Sequence, residues 1–281
     1  MTEQAVAFHN ATKYYARSDT EPGDERIGIG DPTSRTPAIW QKDWDIKPLL
    51  YKVYASLPPI ELSRDLPETG MPALEAIAAT GAPGSSVVPD KALLGRLGLL
   101  TNGSLDRTWT SADGREHHYR TAGGTGALYH LELYFVCADL ADPAAGVYHH
   151  SAIGDTLRQV RAGDFRAALS AATGQEPSIA AAPVVLAVTS TFWRNSWRYR
   201  ERAYRHTFWD AGTSLSHILA VAAAAAVPAT LVFGFADPLV NALLDVEGTR
   251  ESTVALVALG STGTAAPPAP EVTRLDLPTQ P

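Results

Sequence analysis

Between Leu131 and Leu259 the sequence runs through short β-rich stretches and helical stretches in an order that never settles into a strand–helix–strand period. Leu131 to Ala138 and Gly146 to His150 are β-rich runs around the turn-forming Ala141-Asp142-Pro143, which predicts a hairpin. A helix is expected from about Ile153 to Thr173, then a strand at Pro183 to Thr189 and two helices within Phe192 to Val227. Strand Thr230 to Phe233, a short helix Pro238 to Leu244 and strand Ser252 to Leu259 complete the series. A doubly wound fold needs regular βαβ units, so this order points to an α+β domain, and no internal repeat accompanies it. Upstream, Pro89-Asp90 introduces a helix with Leu93, Leu94, Leu97 and Leu100 at helical spacing, and a shorter helix fits Pro72 to Ala79.

The 281 residues allow one large globular domain or a large domain with a smaller annex, and 45% hydrophobic content supports a real core. Lys and Arg number 23 against 30 Asp and Glu, a net charge of −7, which disfavours nucleic acid and anionic lipid as partners. A single cysteine, Cys137, excludes an internal disulfide or a cysteine-based zinc cluster, and its apolar neighbours mark it as a strand thiol. The alanine-rich stretch Leu215 to Phe235 is broken by Pro228 and interrupted by Ser216 and His217, so it reads as a buried helix followed by a strand and not as a membrane span. No basic-then-apolar leader opens the chain, and a cytoplasmic location is the expectation. Residues 1–47 are polar and irregular and read as an extended N-terminal arm, 48–265 as the domain, and 266–281 as a Pro-rich tail.

Two clusters could carry chemistry. Thr121-Ala122-Gly123-Gly124-Thr125-Gly126-Ala127-Leu128-Tyr129 lies directly ahead of an expected strand; such a backbone either approaches a ligand closely or is a flexible turn. It matches neither the phosphate-loop nor the dinucleotide pattern. The segment Trp193 to His206 interleaves cations and aromatics, with Arg198, Arg202 and Arg205 on one helical face and Tyr199 free to sit with Trp193 or Ala203 on another; a solvated face with stacking is the plain alternative. The pairs His117-His118 and His149-His150 lie in strands, where neighbours point to opposite faces, so neither is read as a metal site. No Gly-x-Ser-x-Gly elbow supports a hydrolase.

Three separated pieces, read together, resemble the SagB-type dehydrogenases, a branch of the nitroreductase-like flavoproteins. They are Phe8 to Tyr14 with Lys47 to Tyr54; Gly126-Ala127-Leu128-Tyr129-His130-Leu131-Glu132-Leu133-Tyr134, similar to that branch's Pro-Ser-x-Gly-Ala-Leu-Tyr-Pro-x-Glu-x-Tyr; and Arg198 to Arg205 with Asp210-Ala211-Gly212, similar to its Lys-Tyr-x-x-Arg-x-Tyr-Arg motif and the Ala-Gly-His helix start that follows. The resemblance implies a mixed sheet flanked by helices, a homodimer with sites between subunits, flavin mononucleotide (FMN) as cofactor, and oxidation of an azoline or related ring in a peptide natural product to an azole. A modified precursor peptide or a related subunit is the implied partner. It also implies Tyr199 and Arg198 as catalytic, with Tyr199 moving the proton because arginine is a poor base; nearby Arg198, Arg200 and Arg202 would favour the phenolate. Gly123, Gly124, Thr125, Gly126 and Leu128 would line the flavin pocket, with Arg194, Arg198 and Arg274 as its anion-binding groups.

Departures from that pattern are concentrated at flavin-facing positions. Ala79-Thr80-Gly81-Ala82-Pro83-Gly84-Ser85 stands where the family carries an Arg-Arg-Ser-x-Arg phosphate grip, so Arg274, Arg96 or a glycine backbone would have to compensate. Gly123-Gly124 replaces Pro-Ser, His130 a proline, Arg198 a lysine, and Thr213 and His217 a usual His and Asn. The alternative reading is therefore a relative that keeps the fold without flavin and serves as a partner subunit or has a different activity.

Overall fold

The computed structural model describes residues 2–12, 45–80, 87–110, 114, 116–262, 264–275 and 277, and the backbone of 14–16 and 27–29. Helix α1 (Glu3–Thr12) precedes a small antiparallel pair, β1 (Tyr14–Ala16) and β2 (Ile27–Ile29). Then follow β3 (Pro59–Glu61), α2 (Ala73–Ala78), α3 (Lys91–Asn102) and a two-stranded ribbon of β4 (Ser104–Thr110) with β5 (Glu116–Arg120). The main body runs β6 (Leu131–Cys137), β7 (Gly146–Ser151), β8 (Thr156–Ala162), α4 (Arg166–Ala172), α5 (Pro177–Ala181), β9 (Val184–Thr191) and α6 (Phe192–Tyr199). It ends with α7 (Ala203–Ala224), β10 (Ala229–Val232), α8 (Asp237–Leu244) and β11 (Glu251–Leu259).

Seven strands form one sheet in the order β10-β11-β9-β6-β7-β8-β3. The α+β class and the helix-flanked sheet agree with expectation, and within that sheet the pairings are antiparallel, where the resemblance implied mixed directions. Period-two alternation splits the core between its faces. Leu131, Leu133, Phe135 and Cys137 of β6, with Val184, Leu186 and Val188 of β9, pack under α3 and α7. Tyr134, Val136, Val185 and Ala187 point the other way, onto Leu169 of α4, Ile179 of α5 and Val240, Leu243 and Leu244 of α8. The alanine-rich stretch is the end of α7, with Val221 and Ala222 in the first of these cores, followed by β10. Asp90 caps α3, its carboxylate accepting the Leu93 amide at 2.8 Å, and Leu94 and Leu97 are fully buried.

Two expectations are corrected. The helix expected from Ile153 to Thr173 is instead the turn at Gly154 (φ 76°) and Asp155 (φ 48°), the strand β8, and the short helix α4. Hydrogen bonding to β7 recruits Thr156–Ala162 into the sheet, burying Leu157 on one face and Val160 on the other, and this pairing outweighs local helical preference. The N-terminal arm begins as a helix and not as extended chain: α1 lies against α7, with Arg202 donating to the Thr12 carbonyl, Arg205 Nε to the Thr12 hydroxyl at 2.9 Å, and Phe8 edge-on to Tyr204 at 5.6 Å. Residues 17–26 and 30–44 of the arm and the 81–85 segment lie outside the described residues.

Helix α3 crosses the sheet closely at Gly98, where a Cβ would stand 2.5 Å from the His150 ring. Gly98→Ala should therefore cost about 1–3 kcal/mol by overpacking, read as a lower midpoint in chemical denaturation; an unchanged midpoint would mean that the helix and His150 are free to separate.

Candidate active site

The antiparallel register gathers the start of β6, the end of β9 and the start of β11 at one end of the sheet, pairing Leu131 with Ser190 and Thr191 with Glu251. The glycine-rich loop enters β6 there. Gly126 (φ 66°), Ala127 (φ 52°) and Tyr129 (φ 46°) are all left-handed, a costly conformation for the two non-glycine residues that requires external support. Asp210 on α7 supplies it. Its carboxylate accepts the Thr125 amide and hydroxyl, both at 2.7 Å, and pairs with His130 Nε2 at 2.9 Å. Burial alone would raise the Asp210 carboxyl; the bonds from His130 and Thr125 outweigh it and hold the group below its ordinary range. His130 Nδ1 in turn meets the Ser190 hydroxyl at 2.9 Å. This Ser–His–Asp chain is a clamp and not a hydrolytic triad, because Ser190 has no exposed surface from which to attack a substrate.

Tyr199 ends α6 beside this loop. Arg200 (φ 48°) breaks the helix, a 3-10 turn spans Arg200–Arg202, and α7 starts afresh, so Arg198 is not carried onto a continuous helical face with Arg202 and Arg205. The Tyr199 hydroxyl lies so close to Gly126 that a Cβ at that position would overlap it. Arg198 sits over the Tyr199 ring at 5.5 Å, and His206 meets the ring edge-on at 4.7 Å. Of the sequence candidates, the structure thus brings Gly123, Gly124, Thr125, Gly126, Leu128, Tyr199 and Arg198 together.

His206, whose Nδ1 bonds Asn195 Oδ1 at 2.7 Å, is pushed down to about 4 by burial, against the attraction of Asp210 and assisted by the Arg202 charge. The fully buried His149 is likewise lowered, chiefly by burial. Neutral histidine favours the folded state here, so this stability is fully present above about pH 6.5 and is lost as pH falls toward about 4. Thermal melts should show the decline in that window, and His206→Gln should make it shallower; an unaltered pH profile in the variant would exclude His206 as a contributor.

Beside the loop is a depression of about 10 Å³ lined by Thr101, Asn102, Gly123, Gly124, His130 and Asp210 among others. Thr101 Oγ1 and Asn102 Nδ2 are buried in it without hydrogen-bond partners, and the Cβ side of Gly123 faces open space. Among the described residues, no Lys or Arg lines it.

Arg194 and Arg274 lie elsewhere, around a cavity of about 490 Å³ on the face that carries α8. Arg194 is fully buried, paired with Glu132 and donating to the carbonyls of Leu49 (2.9 Å) and Tyr129 (3.1 Å). Glu132 also meets His149 Nε2 at 3.0 Å; although burial opposes ionisation, Arg194 and His149 hold its carboxyl well below the usual carboxylate range. Beside them Lys52 donates to Glu251 at 2.7 Å and to the Tyr134 hydroxyl at 2.6 Å, and Glu251 accepts Thr189 Oγ1 at 2.5 Å. Burial would lower the Lys52 ammonium, yet the Glu251 charge raises it above its ordinary value.

The roles of Asp210, Glu132, Lys52 and Glu251 were not read from the sequence. A detectable signal existed for Glu132 and Lys52, each a charge inside an apolar run, a placement that is costly unless a partner waits in the fold. Asp210 carries no such local mark.

The nitroreductase family profile matches residues 113–261, just over half of the chain. A candidate nitroreductase of Methanocaldococcus jannaschii is 23% identical over 145 residues, covering 52% of this chain and 72% of that protein. Among solved structures, a candidate nitroreductase of Anabaena variabilis superposes with a TM-score of 0.65 at 25% identity, covering 78% of this chain; the chain spans only 42% of that one. The Escherichia coli microcin synthetase McbBCD complex, solved with truncated pro-MccB17 bound, gives a TM-score of 0.53 at 15% identity, with coverage of 72% of this chain and 77% of that one.

Proposed function

Because the chain belongs to the nitroreductase family, we propose that it is an FMN-dependent oxidoreductase of the SagB type, oxidising an azoline ring of a peptide to an azole. The observation that carries this reading is the Tyr199 hydroxyl held against Gly126, in a loop that Asp210 clamps in a left-handed conformation. The unpartnered Asn102 Nδ2 and Thr101 Oγ1, with the open side of Gly123, suit the polar edge of a flavin ring. When bound, the flavin supplies the hydride acceptor. Tyr199 takes the ring proton, Arg198 over its ring orients it and stabilises developing phenolate charge, and Asp210 with His130 keeps the loop rigid. A depression of about 10 Å³ cannot hold a flavin by itself, which supports a second subunit completing the site; Tyr204, Phe208 and Trp209 of α7, all at least half exposed, offer a surface for it. The fold likeness to a peptide-bound microcin synthetase complex is in keeping with a peptide substrate and with a related chain as the partner.

A second reading, a fold-keeping partner subunit without flavin, is favoured by one observation: no cation among the described residues lines the depression to meet a phosphate. Incubation of the protein with FMN and a thiazoline-bearing peptide in air separates the two. Loss of two hydrogens from the peptide, seen by mass spectrometry and abolished without protein, is the expected result. A peptide recovered unchanged from protein that retains FMN would defeat the azoline assignment.

A further inference from the structure

The 490 Å³ cavity has a size suited to a small organic molecule. It lies where β9 passes into α6, with Val246, Val272 and Leu275 of its wall packed against the core under α4, α5 and α8. Thr191 and Arg194, from the first turn of α6, line it and are 6% and 0% exposed. Thr191 Oγ1 does not cap its helix, and neither it nor Arg194 Nη2 has a hydrogen-bond partner, although both atoms are buried. Two orphaned donors on residues that line one cavity call for an acceptor.

The charges around the cavity give the acceptor its sign. Lys52 is answered by Glu251 at 2.7 Å, Arg194 by Glu132, and Arg250 by Glu247 at 3.3 Å. Asp245 faces Arg161 at 3.8 Å and accepts the Leu275 amide at 3.0 Å. Arg274, also on the cavity wall, has no partner among the described residues, and the positive end of α6 adds to its field. One negative charge is therefore wanted. Val246, Val272 and Leu275 make the remaining wall apolar.

We propose that this cavity binds an apolar monocarboxylate, its carboxylate on Arg194 Nη2, Thr191 Oγ1 and Arg274 and its hydrocarbon part along Val246, Val272 and Leu275. A phosphate dianion would bring excess negative charge close to Glu251, Asp245 and Glu247. The site does not rest on the flavin reading, since no residue lining the cavity also lines the depression beside the glycine-rich loop.

Titration calorimetry of the full chain with octanoate tests it. Octanoate should bind saturably at one site, 1-octanol at equal concentration should not displace it, and FMN should leave its affinity unchanged. Arg274→Gln, at an exposed position that leaves the fold intact, should weaken octanoate at least about tenfold, and Thr191→Val about threefold or more. Tyr199→Phe should have no effect on octanoate. Absence of saturable binding, equal affinity in wild type and Arg274→Gln, displacement by 1-octanol, or competition by FMN would each overturn the proposal.

Discussion

Arg194→Ala should destabilise the protein by about 3–5 kcal/mol, the largest loss expected from any single substitution considered. The guanidinium is fully buried and holds Glu132, itself 1% exposed, while tying the carbonyls of Leu49 and Tyr129 to the end of the sheet. Removing it strands a carboxylate whose ionisation Arg194 supports more than any other neighbour. Glu132 is lowered in the folded state, so its contribution is present above the ordinary carboxylate pKa and is lost as pH falls below it. Wild type and Arg194→Ala should therefore differ most near neutrality and converge in acid. The double variant Arg194→Met with Glu132→Gln should recover part of the loss, because it removes the unpaired charge. A neutral-pH loss below about 1 kcal/mol would mean that the pair is solvated and not buried.

Tyr199→Phe should lower turnover by roughly 100-fold or more while leaving the fold and any bound flavin in place, the usual scale for removing a general base. The substitution retains the ring that meets His206 edge-on at 4.7 Å and lies under Arg198, and removes only the hydroxyl pressed against Gly126. Gly126→Ala reaches the same hydroxyl from the other side: its Cβ would overlap that oxygen, and φ 66° is unfavourable for alanine. Both variants should lose turnover, but only Gly126→Ala should also lower the melting temperature. Undiminished turnover in Tyr199→Phe would remove the phenol from the chemistry and leave it as packing.

The residues that met across the fold differ in how legible they were. Leu131–Cys137 with Gly146–Ser151, the Asp90-capped helix, and Pro228 after an alanine-rich helix carry their structure locally, through alternation, caps and breakers. Thr156–Ala162 does not: its strand conformation comes from pairing with β7, contacts invisible to a helical window. At the site, the family resemblance named the glycine-rich loop and Tyr199 separately, and the fold is what sets the Tyr199 hydroxyl against Gly126. It could not reveal that Asp210, 85 residues from Thr125, locks the loop, nor that Arg194 and Arg274 face a separate cavity, because those facts depend on which face of the sheet each residue reaches.

Flavin retention decides between the two readings, and the visible spectrum of the protein purified with added FMN and then desalted reports it. The protein should be yellow and carry close to one flavin per subunit, with retention reduced by Asp210→Ala through loss of the loop clamp. A colourless protein that releases all added FMN on desalting would contradict the flavin reading and leave the flavin-free partner subunit as the reading of this fold.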